Sequence, residues 1–191
     1  MQPSRLLVLA VAGEAVLVLV AVVWMGLRDI PFRLGSGWWF RDVAIGGVAA
    51  GGFAVVNLYL LCRAPAVPGV VAVRRFYRDT LRPLFGAIGF REVVVISVAA
   101  GVGEELFFRG VVQPELGLVP TSIIFGVLHM GGRGTVAFGC WVAIMGSVLG
   151  WLALWTEGLL APVVAHIAYD AAALAYIRWG TDDPAVGWIV K

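Results

Sequence analysis

An all-α, polytopic transmembrane bundle of about six membrane helices, with an interfacial amphipathic helix beside it, is the fold the sequence predicts. Three observations carry it. Of 191 residues, 61% are hydrophobic and 14% charged. The mean hydropathy of +0.94 lies far above that of an ordinary soluble domain. Apolar runs of the length that crosses a bilayer, about 20 residues, recur along the chain.

The first run, Leu6–Leu27, follows Arg5 in the manner of a signal peptide, yet it lacks a small-residue cleavage site and is long enough to span. It reads as a retained anchor. Val43–Cys62 is the second run. The connection after it carries Arg63, Arg74, Arg75, Arg78, Arg82 and Arg91 against Asp79 and Glu92 among acids. By the positive-inside rule that connection and the amino terminus are cytoplasmic, and Arg28–Asp42 faces outward. Within it, VRRFYRDTLRPL sets Arg74, Arg78 and Arg82 on one side and Val73, Phe76, Tyr77, Leu81 and Leu84 on the other. This pattern predicts an interfacial helix that Pro83 ends or kinks.

Val93–Gln113, Thr135–Thr156 and Leu159–Trp179 complete the long runs, while Pro120–Gly132 is too short to cross alone. Six crossings return the carboxyl terminus to the cytoplasm; five do not. Trp24, Trp38, Trp39, Trp155 and Trp179 sit at run ends as an interfacial belt does. Gly47 with Gly51, and Gly146 with Gly150, have the small-xxx-small spacing that lets helices approach in lipid. No hydrophilic stretch could form a second domain. The chain therefore reads as one integral membrane domain over 1–191, with two helices and the basic connection in 1–92 and a motif-bearing core in 93–179. A multi-pass protein of the cell membrane is expected.

A net charge of +2 offers nothing for nucleic acid. Cys62 and Cys140 lie in apolar runs, which suggests neither a disulfide framework nor a cysteine metal site.

The chemistry begins with Glu104, Glu105 and Arg109 in AAGVGEELFFRGVVQ. Each ionisable side chain at the bilayer centre costs roughly 3 kcal/mol, so such groups are usually paired and functional. Glu105 and Arg109 stand four apart with the acid first, the favourable order for an ion pair. Glu104 is turned by about 100° and lacks that partner, which makes it the candidate general base. The histidines are two, His129 and His166, both in apolar runs. His166 and Asp170 share a helix face, as do Phe125 and His129. Glu14 in the first run has no partner at helical spacing and is not expected in catalysis.

The set holds a base, imidazoles and a cation but no nucleophile. Ser122 and Ser147 lack a base at helical spacing, and no HExxH zinc motif occurs. Water activation with direct attack on a carbonyl is the implied chemistry.

EELFFR, FGVLH and HIAYD resemble, in order, the EExxxR, FxxxH and HxxxN/D motifs of the CPBP family, the CAAX-prenyl endopeptidases and bacteriocin-processing (Abi) intramembrane proteases. The resemblance covers about Val93–Ile177. It implies an intramembrane endopeptidase in which Glu104 polarises water with help from His129, Glu105 and Arg109 form a supporting pair, and His166 with the residue at 170 stabilises the oxyanion. Many members have Asn at that last position. Asp170, when ionised, cannot donate to an oxyanion; it is protonated, orients His166, or helps bind a cation. The family is commonly labelled metalloprotease, and Glu104, His129, His166 and Asp170 form a possible ligand set for a divalent metal such as zinc. A metal-free glutamate mechanism uses the same residues.

The partners expected are the lipid bilayer and a peptide or protein substrate. Thirteen arginines against one lysine suggest a GC-rich bacterial or archaeal gene and favour a bacteriocin leader or other membrane-tethered peptide over a prenylated CAAX tail. Two other classes compete: a non-catalytic membrane binding or immunity protein, and a proton-coupled transporter. The second needs a continuous polar path, for which the first two runs offer Glu14 and Asn57.

Overall fold

The computed structural model describes residues 2–180 of the chain, and every regular element among them is a helix. Helices α1 (Pro3–Arg28) and α2 (Trp39–Cys62) match the first two runs. Pro68–Phe76 forms α3, a π-helical turn follows at Tyr77–Leu81, and Arg82–Phe85 is a short α4. The third long limb is α5 (Phe90–Phe107), a second π-helical turn at Phe108–Val112, and α6 (Gln113–Leu116). Leu118–Leu128 is α7, Val136–Trp155 is α8 and Leu160–Trp179 is α9.

Four helices, α1, α2, α8 and α9, are long and apolar enough to cross a membrane. A fifth span is possible if Pro68–Phe85 and Phe90–Leu116, bent by 114°, count as one. The expected six is therefore reached only by adding α7, whose 11 residues are too few to span alone. The expected Val93–Gln113 run is longer than read, Phe90 to Leu116, because the π turn lets the helix pass Pro114 without stopping.

The two ends of the described chain meet at one end of the bundle. Leu6, Leu61, Tyr77, Ile88, Val93, Leu174 and Ile177 form a single buried cluster there, so α1 starts where α2 and α9 finish and α5 begins. At the opposite end Arg28 of α1 meets Glu115 of α6 at 2.9 Å. Leu159 and Leu160, entering α9, donate to the carbonyls of Arg33 and Leu34 in the α1–α2 connection.

The basic connection is docked rather than adrift. Val73, Phe76, Tyr77 and Leu81 face inward as the pattern predicts. Arg74 does not join Arg78 and Arg82 outside: it is buried, donating from Nε to the Leu60 carbonyl at 3.0 Å and from NH2 to the Ala64 carbonyl at 2.7 Å. It thereby satisfies acceptors at the carboxyl end of α2, which have no partners within that helix. Pro83 falls after a π-helical turn in a helix that continues to Phe85.

Two glycine expectations divide. Gly146 packs on Phe125 and Gly150 on Gln113 and Leu118, as expected of a close approach. Gly47 and Gly51 face away from the bundle, with nothing near the position a Cβ would take. The contact on α2 is made one residue earlier, at Gly46, where a Cβ would stand 2.5 Å from the Ala161 carbonyl on α9. Cys62 and Cys140 are both free.

Candidate active site

Three motif segments converge on one cavity of about 330 Å³, whose wall includes Glu104 of α5, His129 at the end of α7, and His166 and Asp170 of α9. The rest of its lining is mainly apolar, with Phe76, Phe85, Met145 and Leu174 among the residues that narrow it.

A buried chain of contacts supports these groups. Arg109 NH1 donates to Glu105 Oε1 at 3.0 Å, and both side chains are fully enclosed. The second arm of the guanidinium donates to the Gly146 carbonyl of α8 at 3.0 Å, and its face lies 4.5 Å from the centre of the Phe125 ring. One helical turn on, Gln113 Nε2 donates to the Gly150 carbonyl at 2.9 Å. The i to i+4 pairing read from the sequence thus holds, and it is anchored to a second helix.

His166 Nδ1 lies 2.7 Å from the same Glu105 oxygen that receives Arg109. That contact, across 61 residues, was not read from the sequence, which paired His166 only with Asp170. The Asp170 carboxylate is farther, 3.6 Å from His166 Nε2. His129 Nδ1 donates to the Phe125 carbonyl at 2.7 Å. A carbonyl only accepts, so the proton sits on Nδ1 and a neutral His129 turns an Nε2 lone pair to the cavity. Phe125 lies against both imidazoles, at ring-centre distances of 4.6 Å from His129 and 6.2 Å from His166.

Glu104 has no hydrogen-bonded partner at Oε2 and touches neither ring directly. Its Oε1 stands 3.8 Å from His129 Nε2 and its Oε2 stands 3.9 Å from His166 Nε2. Those gaps are too long for hydrogen bonds and suit a bridging water. Ser122 and Ser147 donate to carbonyls of their own helices, at 2.8 and 2.9 Å, and stand outside the cluster.

The donor set does not fit a resident metal as expected. Among the described residues no group of three or more His, Cys, Asp or Glu is arranged to hold an ion. The two imidazoles address different oxygens of Glu104 through Nε2, and each has its Nδ1 held on an oxygen acceptor, which fixes the ring orientation. The four residues named as possible ligands stand as a polar cluster, and metalloprotease is not supported.

Two further groups lie beside the site: Glu14, read from the sequence as intramembrane but without a partner, and Tyr169, which the sequence reading did not single out. Glu14 of α1 reaches α5 at Gly103, where a Cβ would stand 2.5 Å from its Oε2, and that oxygen has no partner. Tyr169, inside the HIAYD motif, lines the cavity beside Trp141 of α8. Its position three residues after His166 on one helix face was the available signal.

Comparison with known proteins finds the same segment similar to a family. Residues 87–172 match the Rce1-like family, described as type II CAAX prenyl endopeptidase Rce1-like. The chain is also similar to the uncharacterized protein YpbD of Bacillus subtilis (strain 168), 29% identical over 98 residues. That alignment takes in 51% of this chain and 52% of the relative, so the chain spans about half the length of the protein it resembles. No solved structure matches significantly.

Proposed function

With an Rce1-like domain over residues 87–172 as the premise, we propose that the protein is an intramembrane endopeptidase that hydrolyses a peptide bond of a membrane-tethered peptide or protein by glutamate-activated water. The observation that supports it most directly is Glu104, set on the cavity wall with its two oxygens 3.8 and 3.9 Å from two imidazole nitrogens. A water in those gaps is within reach of a base and of a second acceptor, His129 Nε2.

In the proposed cycle Glu104 takes one proton from that water as its oxygen bonds to the scissile carbonyl carbon. The tetrahedral intermediate collapses with cleavage of the C–N bond, and Glu104 returns the proton to the departing amine. Arg109 and Glu105 fix the ring of His166, which faces the reacting centre through Nε2. Their burial excludes water from the pair and keeps its geometry.

The apolar lining suits an extended apolar segment rather than a charged one. A bacteriocin leader or similar tethered peptide is the substrate class we favour. The cytoplasm is the side proposed for the amino terminus, since the basic connection shares its end of the bundle.

The test is Glu104→Gln in proteoliposomes with a membrane-tethered reporter peptide. Cleavage disappears while the protein stays inserted and folded. Cleavage at the wild-type rate would end the proposal.

A further inference from the structure

Beyond its first turn, α2 directs a stripe of Gly46, Ala50, Phe53 and Leu61 inward. Asn57 lies on that stripe, four residues after Phe53 and four before Leu61, and it forms part of the wall of the cavity that holds Glu104, His129 and His166. An asparagine in a membrane helix ordinarily spends its carboxamide on a neighbouring helix. Among the described residues Asn57 makes no side-chain hydrogen bond. Such a group is costly in an apolar wall unless water or a ligand completes it.

Helices α2 and α9 run in step. Gly46 packs against Ala161 and Val164, the Phe53 and Tyr169 rings stand 5.7 Å apart between centroids, and Cys62 Sγ meets the Tyr176 hydroxyl at 3.4 Å. Asn57 is therefore level with Ala173, another residue of the cavity wall, whose methyl group gives it no polar partner. At about 1.5 Å per residue, this level is about 5 Å along the axis from Asp170 and about 10 Å from His166, toward the end where α3 docks. Past it, Val73, Phe76, Leu81 and Phe85 carry the wall on to the docked connection.

A peptide laid along this wall keeps an N–H and a carbonyl on each residue. Hydrocarbon serves neither. A primary carboxamide presents a carbonyl and N–H donors in one plane, so it can pair with both groups of a single extended residue. Resting on the peptidase reading above, we propose that Asn57 is a substrate-binding residue whose carboxamide pairs with the main chain of an extended peptide, about three residues from the scissile bond at about 3.3 Å per residue. The recognition is of backbone rather than side chain. It selects an unwound segment over a helical one, whose main chain is already paired within itself.

The full-length protein in proteoliposomes is assayed with the tethered reporter peptide and with a series in which one amide at a time is replaced by an ester, which removes a main-chain N–H. Glu104→Gln is the control. In the wild type, an ester about three residues from the scissile bond raises KM, in mole fraction of peptide in lipid, by about tenfold and leaves kcat within about twofold. Asn57→Leu, close in size, and Asn57→Ala raise KM by a similar factor, and in either variant the same ester adds nothing further. That loss of additivity is something altered packing would not produce. If both variants leave KM unchanged, or if every ester acts alike in wild type and variants, while Glu104→Gln is inactive, this inference is overturned and the peptidase reading stands. If Glu104→Gln remains active, the peptidase reading itself falls and the inference with it.

Discussion

His166 Nδ1 and Arg109 NH1 converge on one oxygen of Glu105, at 2.7 and 3.0 Å, in a region closed to solvent. Glu105 is thus a fixed support, and in the peptidase reading its neighbour Glu104 is the carboxylate left to act. Two adjacent carboxylates acquire different tasks from their surroundings alone.

The support has a measurable cost of removal. Glu105→Ala strands a buried guanidinium and unpins His166, and it is expected to destabilise the protein by about 3 kcal/mol. Thermal or denaturant unfolding in detergent reads that loss. Arg109→Lys does not restore it, because an ammonium cannot serve Glu105 and the Gly146 carbonyl with the geometry of a fork.

Asp170 lies 3.6 Å from His166 Nε2, beyond a hydrogen bond. Asp170→Asn is therefore expected to retain kcat within about tenfold, or to raise it, since the amide adds a donor facing the reacting carbonyl. A collapse of activity in this variant would show that the negative charge itself is needed.

Packing at the helix crossings gives a contrasted pair. On Gly126 a Cβ would stand 2.5 Å from the Gly139 carbonyl and 2.7 Å from the Ala143 Cβ, so Gly126→Val forces α7 from α8 and moves His129. We expect a loss of about 2 kcal/mol and a fall in kcat. Gly47→Ala meets nothing and is expected to be neutral or to stabilise by up to about 1 kcal/mol. Unfolding curves of the two variants decide it.

Excess chelator is expected to leave cleavage unchanged, because among the described residues the histidines and acids are not arranged as an ion's ligands. Activity lost on chelation and regained with zinc alone would reverse that assignment.

Much of the site was legible because helices write local partners at fixed spacing. Glu105 with Arg109, Phe125 with His129, and His166 with Asp170 are each four apart, and each pair does face one side. Contacts between helices leave no such trace. Nothing in the sequence ties Glu105 to His166, Tyr169 to Trp141, or Glu14 to Gly103, since their proximity follows from how α1, α5, α8 and α9 pack. The phase of α2 was misread for a related reason. Lipid and protein both accept apolar side chains, so an all-apolar helix gives little indication of which face is inside, and Gly46 was passed over for Gly47. Arg74 went astray because a run of arginines looks solvated until one of them finds the exposed carbonyls of a neighbouring helix.

Helix α7 has 11 residues, and at 1.5 Å each it rises only about 16 Å, roughly half of a hydrocarbon core near 30 Å. His129 follows its last residue, so the imidazole hangs partway down rather than at a rim. A wall that short, where it faces lipid, is expected to make the bilayer thin or admit water. In the peptidase reading the stub is then expected to act as a depth gauge: in a tethered chain, the bond that is cut would be set by its distance from the anchor as much as by its side chains.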